Sequence, residues 1–311
     1  MNMLIYTCVF CFISLGQCLS QIPTSKVASG QIIRYASFQS TYVQARNIDI
    51  WLPNGFSQEK KYAVVYMHDG QMLFDSTTTF NHLEWGVDET LGKLLSNDLI
   101  QNCIVVAIWN TGNSRYSDYF PEKPFLSLSS EDKEPILALG KKFIHRAFRN
   151  QQPNSDGYLR FIVKELKPFV DKNYPTKPDP AHTFMAGSSM GGLISLYALC
   201  EYPKTFGGAA CLSTHFPGIF TNDHNPFPKA LFNYISKKIP PKKTHLFYFD
   251  YGTETLDSLY EPHQIVVDSI FKANGYTNSN YKGQKFEGEN HSETAWKKRL
   301  DIPMLFLLGK R

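Results

Sequence analysis

Short apolar runs alternate with longer amphipathic segments along nearly the whole chain, and that alternation restricts the possible folds more than any other feature. YAVVYM (62–67), CIVVAIW (103–109), HTFMAG (182–187), GAACLS (208–213), HLFYFD (245–250) and KGQKFEG (282–288) read as short strands of a mostly buried sheet. Ahead of them, 31–40 and 43–52 alternate apolar with polar residues, as half-buried antiparallel strands do. The intervening segments 87–96, 136–148, 157–172, 190–202, 227–236, 260–273 and 293–308 carry apolar residues at three- and four-residue spacing, the mark of helices with one buried face. Strand, helix and strand repeated after an antiparallel opening pair predict an α/β fold, with a mostly parallel central sheet, antiparallel N-terminal strands and helices on both faces. One long stretch, 110–135, holds Tyr116, Tyr119, Phe120, Phe125 and three prolines and is expected to be an irregular loop that covers a site. No repeat or linker divides the chain, so 31–311 is expected to be one domain behind a short lead, 21–30.

Residues 1–20 contain no charged side chain and run from an apolar stretch, 4–15, into the small-residue region 16–20. This pattern predicts a secretory signal cleaved after Ser20, with an uncleaved anchor as the main rival and lipid attachment at Cys18 as a weaker alternative, and hence a secreted or periplasmic protein. The apolar stretch is shorter than the ~20 residues that span a bilayer, and no later segment is longer, so no stable membrane insertion is expected. Removal of Cys8, Cys11 and Cys18 would leave Cys103, Cys200 and Cys211, each in an apolar run and each expected as a buried free thiol. The 32 basic residues exceed the 28 acidic ones by only four and cluster no more densely than Lys297-Lys298-Arg299, which argues against a nucleic-acid partner.

The sharpest local signal is Ala186-Gly187-Ser188-Ser189-Met190-Gly191-Gly192, a G-x-S-x-G pattern between an expected strand and an expected helix. In that setting the pattern forms a nucleophile elbow: the serine sits on a strained turn, and the glycines let strand and helix approach closely. Ser189 is therefore the candidate nucleophile, and the Met190 N–H, free at a helix start, is a candidate oxyanion donor. A serine hydroxyl needs a histidine to take its proton and a carboxylate to orient that histidine, in the chain order Ser, acid, His. Of the histidines after Ser189, His245 lies in a strand and His263 on a helix, where structural roles are expected; His291 stands in the polar loop Gly288-Glu289-Asn290-His291-Ser292 and is the candidate base. The acid belongs in the loop after 245–250, where spacing leaves both Glu254 and Asp257 open. A second oxyanion donor is expected from the loop Met67-His68-Asp69-Gly70-Gln71-Met72, at the N–H of Gln71. Asn290-His291-Ser292 is also a glycosylation sequon, and a glycan beside the base would obstruct it, so Asn290 is expected to be unmodified.

YMHDGQMLFD (66–75), AGSSMGG (186–192), DYGTETLD (250–257) and EGENHSETAW (287–296) together resemble the esterase family of α/β-hydrolases that includes enterochelin esterases, feruloyl esterases, S-formylglutathione hydrolases and mycolyltransferases. The similarity runs over about residues 40–308 in the same order. It implies an α/β-hydrolase fold, Ser189 as nucleophile, His291 as base and the amides of Gln71 and Met190 as the oxyanion hole. Feruloyl esterases place their acid in a G-T-x-D-S-L type segment, and matching Asp257-Ser258-Leu259 to it favours Asp257 over Glu254, although this chain has extra residues after Gly252-Thr253. The implied activity is hydrolysis of a small-molecule or polysaccharide-linked ester, feruloyl, acetyl or siderophore, through an acyl-enzyme. Acyl transfer to a sugar or lipid acceptor is the alternative chemistry, and a binding module that kept the fold is the alternative without chemistry. No H-E-x-x-H, paired metal-spaced cysteines, G-x-x-x-x-G-K-[ST] or strand-following G-x-G-x-x-G is present, so neither a metal nor an organic cofactor is expected. Trp85, Trp109, Tyr119, His215 and Phe216 are expected near the carboxyl edge of the sheet, with Trp85 and His215 as candidate pocket residues.

Overall fold

The computed structural model describes residues 24–143 and 152–310. The expected signal segment, with Cys18 and the proposed cleavage after Ser20, lies outside them, as does the end of the expected 136–148 helix. Eight strands form one sheet: β1 (Gln31–Phe38), β2 (Arg46–Leu52), β3 (Ala63–His68), β4 (Cys103–Ile108), β5 (Thr183–Ser188), β6 (Gly208–Leu212), β7 (Leu246–Gly252) and β8 (Tyr281–Phe286). Their spatial order is β1-β2-β4-β3-β5-β6-β7-β8. The β1–β2 and β2–β4 pairs are antiparallel and every later pair is parallel. This is the mixed, mostly parallel sheet expected from the alternation of runs.

Eleven helices follow in chain order among the described residues: α1 (Val87–Ser96), α2 (Arg115–Tyr119), α3 (Glu122–Leu126), α4 (Ser130–Phe143), α5 (Ser155–Phe161), α6 (Lys167–Asn173), α7 (Met190–Glu201), α8 (Phe227–Lys238), α9 (Glu261–Ala273), α10 (Glu293–Arg299) and α11 (Asp301–Leu308). Strand side chains alternate between two cores, one on each face of the sheet. Val64, Tyr66, Ile104 and Val106 meet α7, α8 and α9 on one face. Ala63, Val65, Met67, Cys103 and Val105 meet α1 and α11 on the other. Covering both faces is what lets β3, β4 and β5 be mostly apolar, with polar residues only at the ends of β3 and β5, since every residue of each is buried. Cys103, Cys200 and Cys211 are buried free thiols.

Two expectations need correction. The stretch 110–135 is not an irregular loop; it folds into α2, α3 and the start of α4. Pro121 caps α3 and Pro124 lies in its first turn, where a missing N–H costs nothing, while Pro135 sits inside α4. The expected helix 293–308 is two helices broken at Leu300. Pro303 has no N–H to offer the carbonyl of Arg299, and its ring crowds that carbonyl, so α10 ends there and α11 restarts.

The order β4-β3-β5-β6 contains the reversal that matters for function. The chain leaves β3 toward β4 on one side and β5 toward β6 on the other, which opens a crevice at the carboxyl ends of β3 and β5. Both the Asp69–Met72 segment and Ser189 emerge there.

Candidate active site

Ser189 sits between β5 and α7 with φ 56° and ψ −122°, a backbone conformation that costs an ordinary residue about 1–3 kcal/mol and persists only where the surroundings enforce it. Three backbone bonds enforce it. The Ser189 N–H donates to Leu212 (2.9 Å), and its carbonyl accepts from Leu193 (3.1 Å) and His215 (3.1 Å). A Cβ on Gly187 would lie 2.8 Å from the carbonyl carbon of Gly191, so the close crossing of β5 and α7 excludes any side chain at that position. Met190 opens α7, where its N–H has no intrahelical partner.

His291 Nδ1 lies 2.5 Å from Asp257 Oδ1. Asp257 is fully buried in a 3₁₀ turn, Thr255–Leu259, whereas Glu254 is exposed one step before that turn. Of the two carboxylates left open by spacing, Asp257 is therefore the one that faces the imidazole. Its other oxygen accepts from Ser213 Oγ and from the Gly252 N–H, each at 2.6 Å. Burial pushes the Asp257 carboxyl up, but the His291, Ser213 and Gly252 donors outweigh it and hold the group below the usual carboxylate range. The acid and histidine loops are also bonded directly, because the Thr253 and Glu254 N–H groups both donate to the Glu289 carbonyl at 2.9 and 3.1 Å. A Cβ on Gly252 would stand 2.1 Å from that same carbonyl oxygen. The His291 N–H donates to Thr255 Oγ1 (3.0 Å), and its ring packs edge-on to Trp296 at 5.0 Å.

Gln71 lies in the short 3₁₀ turn Gly70–Met72, in the first positions, where N–H groups have no intrahelical partner. That turn is entered through Asp69 at φ 56°. Asp69 is held in this left-handed conformation by both nitrogens of an Arg115 fork (2.7 Å each) and by Asn110 Nδ2 (2.7 Å). Burial opposes ionisation of Asp69, yet Arg115 and Asn110 hold its carboxyl below the usual range, so the clamp is an ion pair. The Asp69–Arg115 clamp has no counterpart among the sequence expectations; the signal for it is an aspartate immediately before a glycine after a strand, a position that favours left-handed backbone.

The family described as "Putative esterase" matches residues 40–135 and 139–305. The chain belongs to that family. It is similar to the carboxylesterase SOBER1 of Arabidopsis thaliana, 28% identical over 127 residues, which cover 40% of this chain and 50% of that protein. The chain spans about half the length of the first curated relatives it matches. A solved ferulic acid esterase superposes with a TM-score of 0.64 at 15% identity, covering 89% of this chain and 97% of that one. An IroE-like serine hydrolase from Shewanella oneidensis superposes at 0.62 with 18% identity, covering 89% of this chain and 79% of that one. These structural likenesses establish the α/β-hydrolase fold.

In this esterase-family chain the aromatic residues expected near the sheet edge divide by burial. Trp85 is 3% exposed and packs at 5.3 Å on Trp296, so it supports the His291 loop from the core instead of lining an open wall. His215 is 1% exposed, with Nδ1 2.9 Å from the Tyr260 hydroxyl. Trp109 donates to Asp49 (2.9 Å), and Tyr119 and Phe216 are buried. His245 and His263 have the structural partners expected of them: the Pro203 carbonyl and Asn222 Oδ1, each at 2.9 Å. Sequence reasoning missed Ser213, Arg299 and Tyr260. Ser213 Oγ accepts from Trp296 Nε1 (2.9 Å) and Arg299 Nη2 (3.2 Å) while it donates to Asp257, and Arg299 pairs with the buried Asp250 at 2.9 Å. Their signal was positional: Ser213 directly follows β6, and Tyr260 lies one 3₁₀ turn beyond Asp257. Among the described residues no group of three or more His, Cys, Asp or Glu is arranged to hold a metal ion, and no helix is long and apolar enough to cross a membrane.

Proposed function

We propose that this protein is a serine carboxylic-ester hydrolase that works through an acyl-enzyme. The observation that carries the reading is the strained Ser189 at the sheet's crevice in the same chain as a 2.5 Å pair between His291 and the buried Asp257. Ser189 Oγ attacks the ester carbonyl, and His291 Nε2 accepts the serine proton. Asp257 fixes His291 with its proton on Nδ1, leaving Nε2 as the base, and stabilises the imidazolium that forms. The N–H groups of Gln71 and Met190 receive the oxyanion. His291 then returns its proton to the departing alcohol, the tetrahedral intermediate collapses to the acyl-serine, and water repeats the sequence to release the acid.

The substrates we propose are feruloyl, acetyl or siderophore-type esters. Support comes from the names of the solved structures that share the fold, a ferulic acid esterase and an IroE-like serine hydrolase. We also propose that the enzyme is exported, on the strength of the uncharged apolar leader at residues 1–20.

Ser189→Ala is expected to lower kcat on a chromogenic acetate ester by at least ~10³ with the thermal unfolding curve unchanged. Full activity in that variant overturns the proposal. A panel of feruloyl, acetyl-polysaccharide and catecholate-siderophore esters, assayed against the same variant as blank, selects among the substrates.

A further inference from the structure

The stretch 110–135, expected to be a loop over the site, instead reaches the turn that presents the Gln71 N–H and fastens it at two points. At its first residue, the Asn110 N–H donates to Gln71 Oε1 (3.2 Å) while Asn110 Nδ2 donates to Asp69 Oδ1 (2.7 Å). The amide is held in that orientation because its Oδ1 accepts from the Gly112 N–H at 2.8 Å. At the start of α2, Arg115 Nε and Nη2 donate to the two oxygens of Asp69, each at 2.7 Å. α2 is itself anchored to the sheet. Arg46 Nη2, at the start of β2, and Ser114 Oγ both donate to Asp118 Oδ2, at 2.9 and 2.8 Å. Arg115 therefore acts from a fixed support.

The Asp69 carboxylate faces the nucleophile elbow as well as its own turn. A Cβ on Gly191 would lie 3.5 Å from Asp69 Oδ2 and 3.3 Å from His68 Cβ. One carboxylate thus stands between the two backbone segments that carry the Gln71 and Met190 N–H groups, and its three side-chain bonds all come from residues 110–115. Left-handed backbone at Asp69 does not by itself call for a carboxylate, since glycine adopts φ 56° at no steric cost. What the carboxylate adds is the hold on α2 and on Asn110.

We infer that Arg115 and Asn110 are positioning residues for the oxyanion hole, acting through the Asp69 carboxylate and the Gln71 side chain on the turn that aims the Gln71 N–H. The role rests on the ester-hydrolase reading above and assigns to the 110–115 segment the work of setting the hole before substrate arrives. An oxyanion donor contributes only when it is aimed at the place where charge develops, and a misplacement of about 1 Å can cost about 10²-fold in rate. The ion pair has a second consequence. An unpaired carboxylate between the two donors would repel the growing oxyanion, and the Arg115 guanidinium, 2.7 Å away, neutralises it. Both residues act through Asp69 and Gln71, and no proton is exchanged.

The test uses the full chain with p-nitrophenyl acetate as substrate and trifluoroacetophenone as probe, because addition of Ser189 Oγ to that ketone places an oxyanion in the hole. Arg115→Met is expected to lower kcat by about 10- to 100-fold with KM within about threefold of wild type, and to weaken the ketone by a matching factor. Asp69→Gly leaves the left-handed turn available but removes the clamp, and is expected to do the same; a carboxylate that served only the backbone would be replaced by glycine without loss. Asp69→Asn suits the same backbone and keeps an acceptor for Arg115, so kcat is expected to recover to within about fivefold of wild type. Thermal unfolding of each variant separates loss of the clamp from loss of the fold. Asn110→Ala removes one bond at a partly exposed residue and is expected to slow kcat by about three- to tenfold, which keeps the role testable even where Arg115→Met does not fold. Wild-type kcat and ketone affinity in Asp69→Gly and Asn110→Ala overturn this inference and leave the hydrolase reading intact. A fall in kcat with ketone affinity unchanged also overturns it, since the hole would then be undisturbed. A wild-type chain that neither hydrolyses the ester nor binds the ketone overturns the hydrolase reading and this inference with it.

Discussion

At the scale of single residues, the proposed triad acid is unusual in how many donors it has and how few of them are exposed to water. Asp257 Oδ2 receives Ser213 Oγ and the Gly252 N–H, and Ser213 is itself loaded by Trp296 and by Arg299, whose charge is balanced by Asp250. Ser213 thus joins the Asp257–His291 pair to a second buried ion pair without placing Arg299 directly on the acid. In Ser213→Ala the carboxylate loses one donor and attracts the imidazolium proton more strongly. The acid limb of the kcat/KM profile is expected to move to higher pH, with kcat reduced by about tenfold and stability by about 1–3 kcal/mol for the buried donors left unpaired. A pH–rate profile beside a denaturant titration checks this. An acid limb that stays in place while activity falls would show Ser213 to be structural only.

Elements were more legible in the sequence than the contacts between them. All eight expected strands are present because each had an apolar run or a clean alternation bounded by turn residues. The nucleophile turn was legible for the same reason, since G-x-S-x-G between a strand and a helix leaves little freedom for the backbone. The helices of 110–135 were hidden because prolines capping a helix or carried within one look the same in sequence as prolines in loops. The choice between Glu254 and Asp257 was not readable from spacing, because it depends on which of two nearby carboxylates the 3₁₀ turn buries. Ser213 and Tyr260 were unreadable for a further reason: their partners lie 44 and 45 residues away in sequence, as the Ser213–Asp257 and His215–Tyr260 bonds record. Contact between the acid and histidine loops carries its own prediction. Gly252→Ala would drive a Cβ into the Glu289 carbonyl, which cannot move without pulling Thr253 and Glu254 with it. This variant is expected to fold, with a loss of about 2 kcal/mol or more, yet to lose most kcat because the Asp257–His291 distance opens. Wild-type turnover in Gly252→Ala would sink the claim that this crossing sets the pair.

For the whole molecule, the lead before β1 turns out to be stitched to the sheet and α1, through a carboxyl whose titration predicts a pH dependence. The Lys26 N–H donates to Asp75 (2.7 Å), the Ala28 and Ser29 N–H groups donate to one oxygen of Asp88 (2.7 and 3.2 Å), and the Ser29 carbonyl accepts from Trp51 Nε1 (2.7 Å). Asp88 is fully buried at the start of α1 beside Glu89, which Lys297 holds as an ion. Burial first, then the hydrogen bond with the Glu89 side chain and the charge of that group, raise the Asp88 carboxyl to about 7. A carboxyl that binds its proton more tightly when folded contributes stability that is fully present below its unfolded value and is lost as pH rises through about 7. The wild-type Tm is therefore expected to fall between about pH 4 and pH 7. Asp88→Asn keeps an oxygen for Ala28 and Ser29 but has no proton to lose, so its Tm should be flatter over that range and should exceed the wild type's most at the alkaline end. Parallel Tm–pH slopes for the two proteins would assign the pH dependence to other groups and leave Asp88 as a simple anchor.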